Sequence, residues 1–66
     1  MMKITVNGDS ETIDACSIPE FLEVRVLNGD GVVVEHNHRI VRRERWPEVL
    51  LRENDNLEVL SFVGGG

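Results

Sequence analysis

Gly64-Gly65-Gly66 close the sequence directly after an apolar run over 57–63, Leu-Glu-Val-Leu-Ser-Phe-Val. Glycine has no Cβ and loses the most conformational freedom on ordering, so three in succession at a terminus add nothing to a fold. What they offer is chemistry at a distance. A thin, flexible thread holds an α-carboxylate away from the body, where a narrow active site on another protein can admit it. The alternative is a frayed end or a cloning remnant.

Other residue types with chemical potential are scattered through the chain. His36 and His38 share one face only if their strand continues; a tight turn at Asn37-His38 breaks that alternation, and no third metal ligand is evident nearby. Cys16 stands between a strand and a helix cap, a place for a small buried residue rather than a redox thiol. Glu48, Glu53 and Asp55 read as a solvated loop, since no pocket-forming segment accompanies them as paired catalytic carboxylates would require. Arg39, Arg42, Arg43 and Arg45 form a positive cluster beside Glu44 and Glu48, which either balances itself or meets a partner. No nucleophile–base pair or phosphate-binding loop is visible, which argues against an independent enzyme.

The elements that position these groups must come from 66 residues, 41% hydrophobic and 29% charged. That is one domain over 1–66, near the lower limit for a core without disulfide or metal. One cysteine excludes an intramolecular disulfide, and with no signal-like start or long apolar span a cytoplasmic location is expected. A net charge of −5 argues against nucleic acid, where Lys and Arg must neutralise phosphates, and suits steering towards basic protein surfaces. The only aromatics are Phe21, Trp46 and Phe62, too few for a base-stacking platform.

Ile4 and Val6 alternate with Lys3 and Thr5, predicting a strand over 2–7. Asn7-Gly8-Asp9 turns it into a second strand over 11–16, antiparallel to the first. Ser17 followed by Glu20 is a capping box with Pro19 in the first turn, opening a helix whose apolar stripe is Ile18, Phe21, Leu22 and Val26 or Leu27. Residues 28–31, Asn-Gly-Asp-Gly, close it. A third strand over 32–36, a turn at Asn37-His38 and a short fourth strand over 39–41 follow. Residues 42–51 read as a helical turn or loop that packs Trp46, Val49, Leu50 and Leu51 beneath the sheet. A turn at 53–56 leads to the last strand, 57–63, parallel to the first. The class is α+β: a mixed sheet of four to five strands packed on one helix.

Two hairpins, one packed helix and a last strand running into glycines resemble the β-grasp fold of ubiquitin-like proteins. The segments 40–46, 54–58 and 62–66 narrow this to a resemblance to the ThiS family, the sulfur carriers of thiamine biosynthesis. In place of the family's usual Asn-Gly and Pro-Arg, this chain has Asn37-His38 and Arg42-Arg43. The resemblance implies that Gly66 is the acyl site, with Gly64 and Gly65 as the thread. An E1-like, ThiF-type adenylyltransferase would activate the carboxylate with ATP and Mg²⁺, a sulfur donor protein would convert it to a thiocarboxylate, and a ThiG-type thiazole synthase would take the sulfur. The carrier itself would hold no cofactor. A carrier serving molybdopterin or cysteine synthesis differs only in partners, and an interaction module without acyl chemistry remains the other class.

Strand alternation gives the docking expectation. Leu57 and Val59 face the helix, so Glu58, Leu60 and Phe62 point to the opposite, wet face. Leu60 and Phe62, with Val33 across the sheet, then form an exposed apolar patch beside the tail; in the alternative, a twist tucks Phe62 under a loop.

Overall fold

The computed structural model describes residues 1–25 and 31–61. Strands β1 (Met2–Val6) and β2 (Asp9–Ile13) form the first hairpin, closed by Asn7 and Gly8, both in left-handed backbone with φ of 50° and 88°. Positive φ at both central residues matches the turn to the twist of the flanking strands, and Gly8 adopts it without steric penalty. The two-residue turn sets Val6 directly opposite Asp9, so β2 begins and ends earlier than the 11–16 expected. Beyond Ile13 the chain must leave the sheet to reach the helix.

Helix α1 (Ile18–Val24) starts at the expected capping box. The Ser17 backbone N–H donates to Glu20 Oε1 at 2.9 Å, and the Glu20 N–H donates back to Ser17 Oγ at 3.4 Å. The backbone and hydroxyl hydrogen bonds from Ser17 hold the Glu20 carboxyl below its ordinary pKa. Ile18, Phe21 and Leu22 are the buried stripe, while Val24 is 84% exposed. The helix stops at Val24, a turn short of the predicted stripe; Val26 and Leu27 lie outside the described residues.

Strands β3 (Val32–His36) and β4 (Arg39–Val41) form the second hairpin, again through two left-handed residues, Asn37 and His38, with φ of 51° and 72°. Histidine takes this region more readily than most side chains, which explains how it stands where glycine is usual. A 3₁₀ segment, Arg43–Glu48, then seats Trp46 in the core, its indole N–H donating to the Val41 carbonyl at 2.9 Å. Leu51 is buried and Val49 packs against the core, but Leu50 is 65% exposed, contrary to expectation. The chain is extended there and bonded on either side to residues 16–18, so alternation sends Leu50 outward.

Strand β5 (Asn56–Ser61) occupies the centre of a five-stranded sheet ordered β2-β1-β5-β3-β4, parallel to β1 and antiparallel to β3. Ile4, Val6, Val34 and Leu57 from three central strands meet Ile18, Phe21, Leu22, Trp46 and Leu51 in one core. Four of these side chains, Ile4, Ile18, Val34 and Leu57, are fully enclosed. No helix among the described residues is long and apolar enough to cross a membrane.

Candidate functional site

The glycines expected to carry the acyl chemistry, Gly64, Gly65 and Gly66, lie outside the described residues, as does Phe62. What the structure describes is the platform from which they issue: β5, up to Ser61.

Each neighbour of β5 is followed by an asparagine that continues its ladder. The Asn7 N–H donates to the Leu57 carbonyl at 2.8 Å; its side chain then accepts from the Val59 N–H at 2.7 Å and donates to the Val59 carbonyl at 3.1 Å. Asn37 does the same for the start of the strand, donating its N–H to the Asn56 carbonyl and accepting from the Asn56 N–H through Oδ1, both at 2.8 Å. A side-chain amide offers a donor and an acceptor much as a peptide does, so the Asn7 side chain stands in for a strand residue where its own strand has already turned, while Asn37 combines its backbone N–H with its side-chain oxygen. In the sequence these residues read only as turn formers.

Asp55, placed by sequence reading in a solvated loop, is buried at 8% exposure. Its Oδ2 accepts from His36 Nε2 at 2.7 Å and from the Arg52 N–H at 2.9 Å, and its Oδ1 accepts from Asn37 Nδ2 at 3.1 Å. Burial pushes the carboxyl pKa up, but the hydrogen bonds from His36, Arg52 and Asn37 together outweigh it and leave the group below its ordinary value. His36 is thereby engaged structurally, and His38 sits in the turn rather than beside it on a common face. Asp55 also accepts the Thr5 N–H at its carbonyl, at 2.9 Å, so one residue ties β1, the second hairpin and the entry to β5.

The facing of β5 is as read from its alternation. Leu57 is fully buried and Val59 packs on the core, while Leu60 is 55% exposed. Val33 pairs directly with Leu60, so these two members of the expected docking patch are neighbours on the face turned away from α1. On the helix side, Val59 and Ser61 border a shallow groove shared with Arg25, which is ion-paired to Glu11 and stacked 4.5 Å from the Phe21 ring centre.

Cys16 and the arginine cluster lie away from β5. Cys16 is partly buried, and burial, with Glu20 and Asp14 nearby, raises its thiol pKa. That keeps it protonated and a poor nucleophile. Within the arginine cluster, Arg45 pairs with Glu48 at 2.9 Å on an exposed surface.

Comparison with known proteins places this geometry. The ThiS family model matches residues 4–66. The sulfur carrier protein ThiS of Bacillus subtilis is 40% identical over 53 residues, covering 80% of each chain. A thiazole synthase of Magnetococcus marinus is 36% identical over 66 residues; the match covers 98% of this chain but 20% of that protein, so the chain spans about a fifth of the length of this relative. The crystal structure of the thiamine biosynthesis protein ThiS from Geobacter metallireducens superposes with a TM-score of 0.82 at 33% identity, covering 98% of this chain and all of that one.

Proposed function

The chain belongs to the ThiS family, and on that premise we propose that it carries sulfur for thiazole formation on a C-terminal Gly66 thiocarboxylate. The observation that carries the proposal is the triglycine run that follows the central strand in a fold matching a solved ThiS over its whole length. A carboxylate is a poor electrophile at neutral pH, so its oxygen must first become part of a leaving group. The Gly66 carboxylate attacks the α-phosphorus of ATP, pyrophosphate leaves, and an acyl-adenylate forms. Sulfide then attacks the acyl carbon, AMP leaves with one of the original carboxylate oxygens, a proton is lost, and a thiocarboxylate remains.

The carrier contributes reach and no catalytic group. Mg²⁺, phosphate positioning and alignment of the carboxylate belong to a ThiF-type adenylyltransferase. A ThiG-type thiazole synthase is the proposed acceptor, supported by the thiazole synthase relative that contains a segment similar to this chain. Any side chain at Gly65 would widen the thread and restrict its dihedrals. The proposed setting is the cytoplasm, where a lone cysteine stays reduced.

The test is mass spectrometry of the carrier after incubation with its adenylyltransferase, ATP, Mg²⁺ and sulfide. The expected result is one oxygen-to-sulfur exchange localised to the C-terminal peptide, lost on deleting Gly65-Gly66 and slowed in Gly65→Ala. Sulfur found on Cys16 as a persulfide, with the C-terminus unchanged, would overturn the mechanism.

A further inference from the structure

The sheet has two edges, and β2 is the longer, at five residues against three for β4. Bonded and non-bonded pairs alternate along an antiparallel ladder, and a two-residue turn closes on a bonded pair, here Val6 with Asp9. Glu11 and Ile13 are then bonded to β1 as well, while Ser10 and Thr12 turn their backbone N–H and C=O groups outward. Thr5, opposite Ser10, fixes this phase by donating its N–H away from β2, to the Asp55 carbonyl. The outward groups of Ser10 and Thr12 meet no partner among the described residues. Beside this open edge a groove of 560 Å³ runs between β2 and α1. Ile13, Cys16 and Phe21 are its covered apolar lining, and Val24 and Met1, 84% and 94% exposed, its open one. Asp14 and Glu20 also line it, and Asp9 opens the strand. Neither Asp9 nor Asp14 is ion-paired among the described residues. No lysine, proline or bulge blunts β2. Its charges are acidic, so they repel an acidic strand and admit a basic one.

We propose that the β2 edge and this groove form an interaction surface for an extended segment of a partner protein, apolar at alternate positions and carrying a lysine or arginine at each end. Such a segment adds a strand beside β2. Its backbone bonds Ser10 and Thr12, alternate side chains enter the groove against Ile13, Phe21 and Val24, and its cations meet Asp9 and Asp14. Those two aspartates span roughly 17 Å of extended chain, which sets the cations about five residues apart. Charge chooses the occupant. A second copy of this chain, pairing through β2, would bring Asp9, Glu11 and Asp14 against their own kind on a chain of net charge −5. The edge lies across β1 from β5, so a strand docked there leaves β5 and the residues after it uncovered. Nothing in this surface depends on the chemistry at Gly66.

The probe is the synthetic peptide acetyl-Lys-Val-Thr-Val-Thr-Lys-amide, titrated into isotope-labelled carrier and followed by NMR, beside a control peptide with both lysines replaced by glutamate. Binding with a Kd of about 1 mM or tighter is expected for the lysine peptide. Shifts should be confined to residues 9–16 and 20–25, and the Ser10 and Thr12 amides should exchange more slowly with solvent when it is bound. Thr12→Pro deletes an outward N–H and none of the hairpin's own bonds, while Val24→Glu sets a charge on the exposed lining of the groove. Each should weaken binding about tenfold, with a thermal melt showing that the carrier still folds. Asp9→Asn/Asp14→Asn should bind several-fold more weakly and lose most of the salt dependence. Where Thr12→Pro fails to fold, Val24→Glu decides: undiminished binding by that variant would overturn the site. Absence of binding by the lysine peptide, or shifts on β3 and β5 instead, would overturn it too. Equal binding of the glutamate peptide would overturn the choice of a basic occupant. Self-association of the carrier alone in sedimentation, lost in Thr12→Pro, would assign the edge to a second copy and overturn the proposal.

Discussion

Replacing Asp55 by Asn tests whether the buried carboxylate holds the entrance to β5. The side chain keeps its size but loses its charge, and it trades one acceptor oxygen for an N–H₂ group. In the native protein three donors converge on the carboxylate, at 2.7, 2.9 and 3.1 Å. An amide can keep the Asn37 contact or the pair from His36 and Arg52, not all three. A net hydrogen bond is worth about 1 kcal/mol, and one to a charged group about 1.5–3, so losing part of this set should cost roughly 2 kcal/mol. For a domain this small that is a fall of about 8–16 °C in melting temperature. The dependence on pH supplies the internal control. The folded-state pKa of Asp55 is depressed, so its contribution is fully present above the unfolded value, near 3.9, and fades as pH falls through the folded one. Circular dichroism melts from pH 7 down to about pH 3 should therefore show wild type and variant converging at the acid end. A gap below 2 °C at pH 7, or one that persists undiminished where the carboxyl is protonated, would refute the reasoning.

Asn7→Ala removes both side-chain bonds to Val59 and should lower stability by about 1–2 kcal/mol. Hydrogen exchange read by NMR should show the Val59 amide, which donates to Asn7 Oδ1, losing more protection than the Asn56 amide, which donates to Asn37 Oδ1 instead. Trp46→Phe keeps most of the apolar contact but removes the indole hydrogen bond to the Val41 carbonyl, and should cost about 0.5–1.5 kcal/mol in denaturant melts. Cys16 should alkylate with iodoacetamide at pH 7.5 several-fold more slowly than a free cysteine, because its thiol pKa is raised and its side chain is partly covered.

Local signals in the sequence were strong where the structure is local. The Ser17–Glu20 box, the two left-handed hairpin turns and the alternation of β1 and β5 need only near neighbours to act, and each appears where its residues predict it. The exposure of Leu60 and its pairing with Val33 followed from the same alternation. Asp55 was misread because its partners His36 and Asn37 stand 19 and 18 residues away; an aspartate amid Glu53, Asn54 and Asn56 carries no periodic mark of burial. Asn7 was legible as a turn residue, but its clamp on Val59 spans 52 residues. The sequence groups Leu50 with its apolar neighbours, because a run of Val-Leu-Leu shows its extended alternation only through its backbone partners at 16–18.

The placement of the tail on β5 rather than on an edge strand has a mechanical reason. A partner that draws the glycines into a narrow site pulls along the strand that carries them. An edge strand such as β2 or β4 holds to the sheet on one side and can peel, whereas β5 is bonded to β1 and β3 together and clamped by Asn7 and Asn37 at Val59 and Asn56. Loading it opposes two ladders at once. The same strand also carries Leu60, one residue before the last one described, so the register of β5 fixes where the chain leaves the sheet. From Leu60 to Gly66 is six residues, which span at most about 20 Å when fully extended. A partner that grips Leu60 must therefore keep its adenylate within about 20 Å of that contact, and a carrier lengthened by inserting glycines after Val63 should still bind but present its carboxylate past the reacting phosphate. Such an insertion separates docking from chemistry: unchanged affinity with lost sulfur transfer is expected, and full transfer by the lengthened carrier would show that reach from Leu60 does not set the geometry.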